Sequence, residues 1–229
     1  MVVSFFKSVR REVFTMLYPI NLELNHVEIV VIGGGEVAYR KCKNFSEFNK
    51  SVKVVAPSFI ELFYELENVE LIWDSYKEEY IQHAQMVVAA TDNQVINQAI
   101  GEYCHLHQKL VNVVDSVSLS NYTVPSYVKR GDLLLSVSTG GKSPSLSKKI
   151  RMELEKKYDD SYEEYVHLLG VIRQQIIEQY EDVKVRRRLI QELIKLDLDA
   201  LKEEGRKYMS EGEQTPMIWN LGSHIIIDL

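Results

Sequence analysis

The stretch from Val27 to Lys41, VEIVVIGGGEVAYRK, constrains the fold more than any other part of the chain. Five of the six residues from Val27 to Ile32 are apolar and most are β-branched, as in a strand buried on both faces of a parallel sheet. Three glycines follow directly, and a helical pattern opens at Glu36 and runs to about Asn49. Gly33, Gly35 and Ala38 fill the G-x-G-x-x-A form of the dinucleotide fingerprint. Gly33 permits the tight turn, Gly35 lets backbone approach a pyrophosphate, and Ala38 lets helix pack on strand. The helix N-terminus then offers unpaired N–H groups and the positive end of its dipole to the phosphates. The alternative is a tight strand-to-helix turn that holds no ligand.

Downstream, strand and helix patterns alternate. Ser51–Ala56 reads as a second strand stopped by Pro57, Ser58–Leu66 as a short helix, and Val69–Trp73 as a third strand. A helical turn over Glu78–His83 precedes a fourth strand, Met86–Ala90, closed by Thr91-Asp92-Asn93, where Asp92 or Asn93 can cap the next helix. Leu110–Val114 is a fifth strand. The expected fold is α/β, a Rossmann-like parallel sheet over 16–115. Beyond Asp115 the pattern changes to two strands, Tyr122–Val128 and Leu133–Ser138, joined by a hairpin-like turn over Lys129-Arg130-Gly131-Asp132. From Pro144 to about Met209 no proline occurs, and the leucine and isoleucine spacing predicts at least three helices, with breaks near Asp159-Asp160 and Glu181-Asp182. Residues 1–15 read as an N-terminal extension in which Phe5, Phe6, Val13 and Phe14 could form one apolar stripe. The tail after about 210 ends in the apolar Ile225-Ile226-Ile227.

Composition narrows the function. A net charge of −6 argues against general nucleic-acid binding. No apolar run reaches the length of a bilayer span, so no membrane partner is expected. Two cysteines without a CxxC fit a reducing, cytoplasmic setting. Gly141-Lys142-Ser143 resembles the end of a phosphate loop but has Ser136 where the leading glycine belongs. Tyr39 and Lys43 have the Y-x-x-x-K spacing of short-chain reductases but lie on the first helix. Cys104, His105 and His107 scatter around a helix axis rather than taking i, i+4 spacing, and no resident metal is expected.

Three features remain as candidate chemistry. Asp115 ends an apolar strand at the carboxyl edge of the sheet, where ligands of such sheets bind, and could take protons there; a turn cap is the bland alternative. Thr139, Gly140, Gly141 and Lys142 offer N–H groups and a cation, either an anion cradle or only a turn. The end of the second strand, Val55-Ala56-Pro57-Ser58, lacks both the acid that usually holds the adenosine ribose and an arginine for a 2′-phosphate, so residue chemistry alone does not separate NAD from NADP.

The segments GGGEVAYRK (33–41), VVAPS (54–58), VVAATDNQVIN (87–97), LVNVVD (110–115) and PSYVKRGDLLLSVSTGGKSPSLSKKIR (125–151) together resemble the precorrin-2 dehydrogenase family of sirohaem biosynthesis, in its order and spacing over roughly 16–160. The resemblance implies a Rossmann domain (16–115), a strand-rich dimerisation region (116–143) and a helical domain (144–229). It also implies a homodimer, with NAD as oxidant of the tetrapyrrole precorrin-2 to sirohydrochlorin. It places Glu36 and Val37 where the glycine loop meets NAD, and Pro57 and Ser58 on the adenosine side; the family's strand end lacks the acid too. Thr91 and Asp92, ending the fourth strand, complete the cofactor set. Asp115 matches the family's catalytic aspartate, and Thr139 falls near the substrate. Lys129, Arg130, Lys142, Lys148, Lys149 and Arg151 are candidate partners for the substrate's carboxylates. A bifunctional enzyme that also inserts Fe²⁺, and a non-catalytic nucleotide-sensing module, are the alternatives.

Overall fold

A computed structural model describes residues 17–208. The expected N-terminal stripe (Phe5, Phe6, Val13, Phe14) and the apolar Ile225–Ile227 lie outside the described residues. The chain divides into two compact units after Val124.

In the first unit β1 (Ile29–Ile32) lies at the centre of a five-stranded parallel sheet. It pairs on one side with β2 (Val52–Ala56), itself beside β3 (Val69–Trp73), and on the other with β4 (Met86–Ala89), beside β5 (Leu110–Val113). The order β3-β2-β1-β4-β5 reverses direction at β1, so the topological switch point falls between the ends of β1 and β4. All four residues of β1 are buried because both faces are covered. Val30 and Ile32 face a core shared with Ile100 and Cys104 of α2 (Gln94–Leu106). Ile29 and Val31 face one shared with Ala38 and Cys42 of α1 (Glu36–Ser46) and with Phe63. This is the fully apolar reading of the strand made physical: period-two alternation is absent where neither face meets water.

Several boundaries differ from expectation. α1 stops at Ser46 rather than Asn49, because Asn49 takes a left-handed φ of 53° while Lys50 N–H donates back to Phe45 O. Ser58–Leu66 holds only a 3-10 turn, Glu61–Glu65, and the turn at 78–83 is likewise a 3-10 helix, Glu78–Ile81. Of the two candidate caps, Asn93 serves α2: its Oδ1 accepts from the N–H groups of Val95 and Ile96 at 2.9 and 3.3 Å. The chain then runs back along the free edge of β5. Val111 N–H donates to Asn121 Oδ1 at 2.8 Å and Val113 N–H to Ser120 Oγ at 2.9 Å, which covers an otherwise open sheet edge.

In the second unit β6 (Ser126–Arg130) and β7 (Leu133–Val137) form an antiparallel hairpin. The first strand starts four residues later than expected and continues through Lys129 and Arg130, because Arg130 pairs with Leu133. The turn is thus only Gly131-Asp132, with Gly131 at φ +56°. Four helices follow among the described residues: α3 (Pro144–Lys157), α4 (Ser161–Gln179), α5 (Val183–Leu193) and α6 (Leu198–Gly205). The breaks fall where expected. The fourth helix arises from a further break at Ile194–Asp197, where Asp197 Oδ1 caps α6 by accepting from Ala200 N–H at 2.9 Å. Ile172, Ile176, Leu193 and Leu201 form the core of this unit.

Candidate functional site

The glycine loop is shaped by contacts that exclude side chains at two of its three positions. Gly33 has φ +130°, and a Cβ there would lie 2.2 Å from the carbonyl oxygen of Ala90. A Cβ on Gly34 would lie 1.9 Å from the carbonyl oxygen of Ser58, because Gly34 O accepts from Ile60 N–H at 3.0 Å and draws the β2 exit against the loop. Gly34, only an "x" in the fingerprint, is thus as constrained as Gly33. Gly35 is different. It sits at the N-cap of α1 with φ −92°, an ordinary value, and a Cβ there meets no atom of the described residues within 4 Å. No described residue demands glycine at 35, and the space ahead of it is what a close-lying ligand would need.

That space opens on a cavity of about 600 Å³ at the switch point. Its lining includes Gly33, Gly35, Glu36, Val37, Pro57, Ser58, Thr91 and Asp92, so the eight positions expected to meet the cofactor lie around one cavity. Ile32, Val55, Ala56 and Ile96 supply apolar wall, and Tyr76, which the sequence reading passed over, joins them. The Tyr76 hydroxyl has no partner among the described residues, and burial is the largest cause that pushes it up to about 12. The first intrahelical bond of α1 is Tyr39 N–H to Gly35 O, so the N–H groups of Glu36, Val37 and Ala38 precede the hydrogen-bonded ladder. An apolar cleft of this size, with helix N–H groups at one end and glycine backbone at its floor, fits a dinucleotide.

The β4 side of the cavity is organised by a residue that sequence reasoning missed. Asn97, on α2, is fully buried. Its Nδ2 donates to Thr91 O at 3.0 Å and to Asp115 Oδ2 at 3.1 Å. Its Oδ1 accepts from Thr91 N–H at 3.1 Å and lies 2.8 Å from the Thr91 hydroxyl. All four hydrogen-bonding positions of the amide are used, and its orientation is fixed because a carbonyl and a carboxylate both require the NH₂ side. Thr91 Oγ1 also accepts from Asn93 N–H at 3.1 Å, which ties the end of β4 to the cap of α2. Asp115 itself lies in the turn after β5, exposed, and is not among the cavity's lining residues. It is joined to the lining through Asn97 and Thr91.

The second unit holds the remaining candidates. Gly140 and Gly141 take φ of 59° and 79°. Thr139 Oγ1 accepts from Ser143 N–H at 3.0 Å and from Ser147 Oγ at 3.2 Å, so this hydroxyl anchors the start of α3. Gly140 N–H donates to Ser138 Oγ and Lys142 N–H to Thr139 O, which leaves Gly141 N–H and the exposed Lys142 ammonium without a partner among the described residues. Of the other cations considered for carboxylates, Arg130 is ion-paired to Asp160, Lys149 to Glu153 and Arg151 to Glu155. Cys104 is buried, His105 Nε2 lies 3.0 Å from Leu119 O, and His107 stacks near Tyr103, so the three do not converge.

Comparison with known proteins agrees with this geometry. Residues 20–126 match a family model of NAD(P)-binding domains, and 130–157 match the model described as sirohaem biosynthesis protein central. A siroheme synthase of Xylella fastidiosa is 30% identical over 199 residues, covering 85% of this chain and 42% of that protein. One from Pseudoalteromonas translucida is 31% identical over 172 residues, covering 74% and 36%. The chain thus spans roughly two fifths of the length of these relatives. Among solved structures, SirC, a precorrin-2 dehydrogenase, superposes with a TM-score of 0.68 at 29% identity, covering 84% of this chain and 98% of its own.

Proposed function

We infer that this chain, which belongs to the sirohaem synthase family, is an NAD-dependent precorrin-2 dehydrogenase that forms sirohydrochlorin. One observation carries the reading: the cavity that gathers the fingerprint residues is linked, through Thr91 and buried Asn97, to a carboxylate at the carboxyl edge of the sheet. NAD, when bound, supplies the acceptor for a hydride. The protein's own contribution is positional. Gly35 keeps the pyrophosphate's approach open, the N–H groups at the start of α1 bind it, and Thr91 is held rigid beside the cavity. Asp115 has one oxygen occupied by Asn97, and its Oδ1, which has no partner among the described residues, takes the proton that leaves the macrocycle. Asp115→Asn should therefore lower kcat by about 10²-fold or more while NAD affinity stays within about twofold. Equal turnover by the variant would remove Asp115 from the chemistry.

The same reading makes the protein a homodimer. The two-stranded sheet β6–β7, although α3 packs on it, is smaller than most sheets, and a second copy would extend it. Light scattering at micromolar concentration should give twice the chain mass. The cytoplasm is the compartment that two unpaired, buried thiols suit, and no helix of the described residues is long and apolar enough to cross a membrane. Thr139, Gly140, Gly141 and Lys142 are the proposed contacts to the substrate's carboxylates, with Lys142 the charged member. Lys142→Ala should raise KM for precorrin-2 and leave KM for NAD unchanged.

A further inference from the structure

We propose that the groove between α4 and α5 binds a polycarboxylate with an apolar body, the chemical class to which the tetrapyrrole of the proposed reaction belongs. The groove has a volume of about 350 Å³ and is lined by Arg173 and Ile177 from α4 and by Val183, Arg186, Arg187 and Ile190 from α5. The α5 residues recur at the three-to-four spacing of one helix face, so the sequence VKVRRRLI places cations and apolar side chains on the same strip. Among the described residues, no acid lines the groove. None of the three guanidinium groups has a hydrogen-bond or ion-pair partner among the described residues, although Arg186 is half-buried. Elsewhere in the described chain at least nine Lys and Arg side chains do pair with acids. Guanidinium groups bind carboxylates through paired N–H donors, and three around one groove match several carboxylates rather than one.

The apolar part of the lining narrows the ligand further. Val183 is 58% exposed, with Ile177 and Ile190 half-buried beside it. A small inorganic anion would gain from the arginines and nothing from these three side chains. A planar ring system with carboxylates at its rim uses both, with one edge of the ring in the groove. Charge across the chain points the same way: residues 17–124 carry seven Lys and Arg against fourteen Asp and Glu, whereas 125–208 carry seventeen against fifteen. A polyanion is repelled by the first set and is met on balance by cations in the second.

The identity of the ligand rests on the dehydrogenase reading; the chemistry of the groove does not. The test uses uroporphyrin, a fluorescent porphyrin with eight carboxylates, titrated into the intact protein at low salt. Arg186→Ala/Arg187→Ala should raise its Kd at least tenfold, with NAD affinity and the circular-dichroism spectrum unchanged, whereas Lys207→Ala, which removes an exposed charge elsewhere, should change it less than twofold. Arg187→Ala alone, at an exposed position, should give part of the loss and guards against a folding defect in the double variant. Absence of porphyrin binding, a double variant within twofold of the parent, a Lys207→Ala loss as large as the double variant's, or displacement of the porphyrin by an equal concentration of citrate would each overturn the proposal. Arginine-dependent porphyrin binding by a protein that forms no NADH from precorrin-2 would sink the dehydrogenase reading and leave the groove standing.

Discussion

Replacing Asn97 with alanine tests the structural hub of the site. The change strands the N–H and C=O of Thr91, which bond to the amide at 3.1 and 3.0 Å, and frees Asp115 Oδ2 and the Thr91 hydroxyl. The last two have alternatives: Asp115 is exposed and can turn to water, and Thr91 Oγ1 keeps Asn93. The cost therefore falls on two backbone groups, at roughly 1–3 kcal/mol each, with about 1 kcal/mol more for the small void. Urea unfolding followed by circular dichroism should show a loss of about 3–7 kcal/mol. Asp115→Asn should cost less than about 1 kcal/mol, since the new amide's carbonyl can still accept from Asn97. Asn97→Asp keeps the shape but turns an oxygen toward Thr91 O and the Asp115 carboxylate. The introduced carboxyl is held protonated above its unfolded pKa by these neighbours, so stability should improve as pH falls from about 8 to about 5. An Asn97→Ala protein within about 1 kcal/mol of the parent would refute the hub.

Other outcomes follow from the same geometry. Gly35→Val should fold, since a Cβ at 35 meets nothing within 4 Å, yet lose NAD affinity more than tenfold, at least about 1.4 kcal/mol by calorimetry; unchanged affinity would remove the pyrophosphate from this place. Glu36→Gln should tighten NAD binding by about two- to fivefold at low salt, because the carboxylate at the start of α1 repels the phosphates, and the gain should vanish at high salt. Burial pushes the Cys42 and Cys104 thiols up to about 12 and about 11, so neither should react with Ellman's reagent at mildly alkaline pH until the protein unfolds. Because both folded values lie above the ordinary 9.0, their contribution to stability is whole below that pH and is lost as pH rises toward 11–12, visible as a falling urea midpoint.

The residues that were legible in the sequence are those whose constraint is local. β1 shows itself because burial on both faces permits only apolar side chains, and the loop after it because Gly33 must adopt φ +130°. Gly34 was hidden: its constraint comes from the Ser58 carbonyl, 24 residues away in sequence, although a run of three glycines hinted that more than the fingerprint was being served. Asn97 left a fainter signal. It stands on the same stripe of α2 as the buried Ile100, Gly101 and Cys104, and a polar residue on a buried stripe must find partners. Those partners, Thr91 and Asp115, end two different strands, and only the sheet order brings them together. The hairpin departs from its expected bounds for a related reason. Lys129 and Arg130 read as turn residues by charge, yet the ladder to Leu133 and Leu134 continues through them: Lys129 lies exposed on one face, and Arg130, on the opposite face with buried Val128, is ion-paired to Asp160.

The proposed role of this Rossmann site is dehydrogenation rather than merely holding a nucleotide. The purified protein incubated with precorrin-2 and NAD, followed by the absorbance of NADH and of the oxidised macrocycle, decides it. One NADH should appear for each sirohydrochlorin formed, with both products lost in Gly35→Val. NAD bound tightly with precorrin-2 left unoxidised would contradict it.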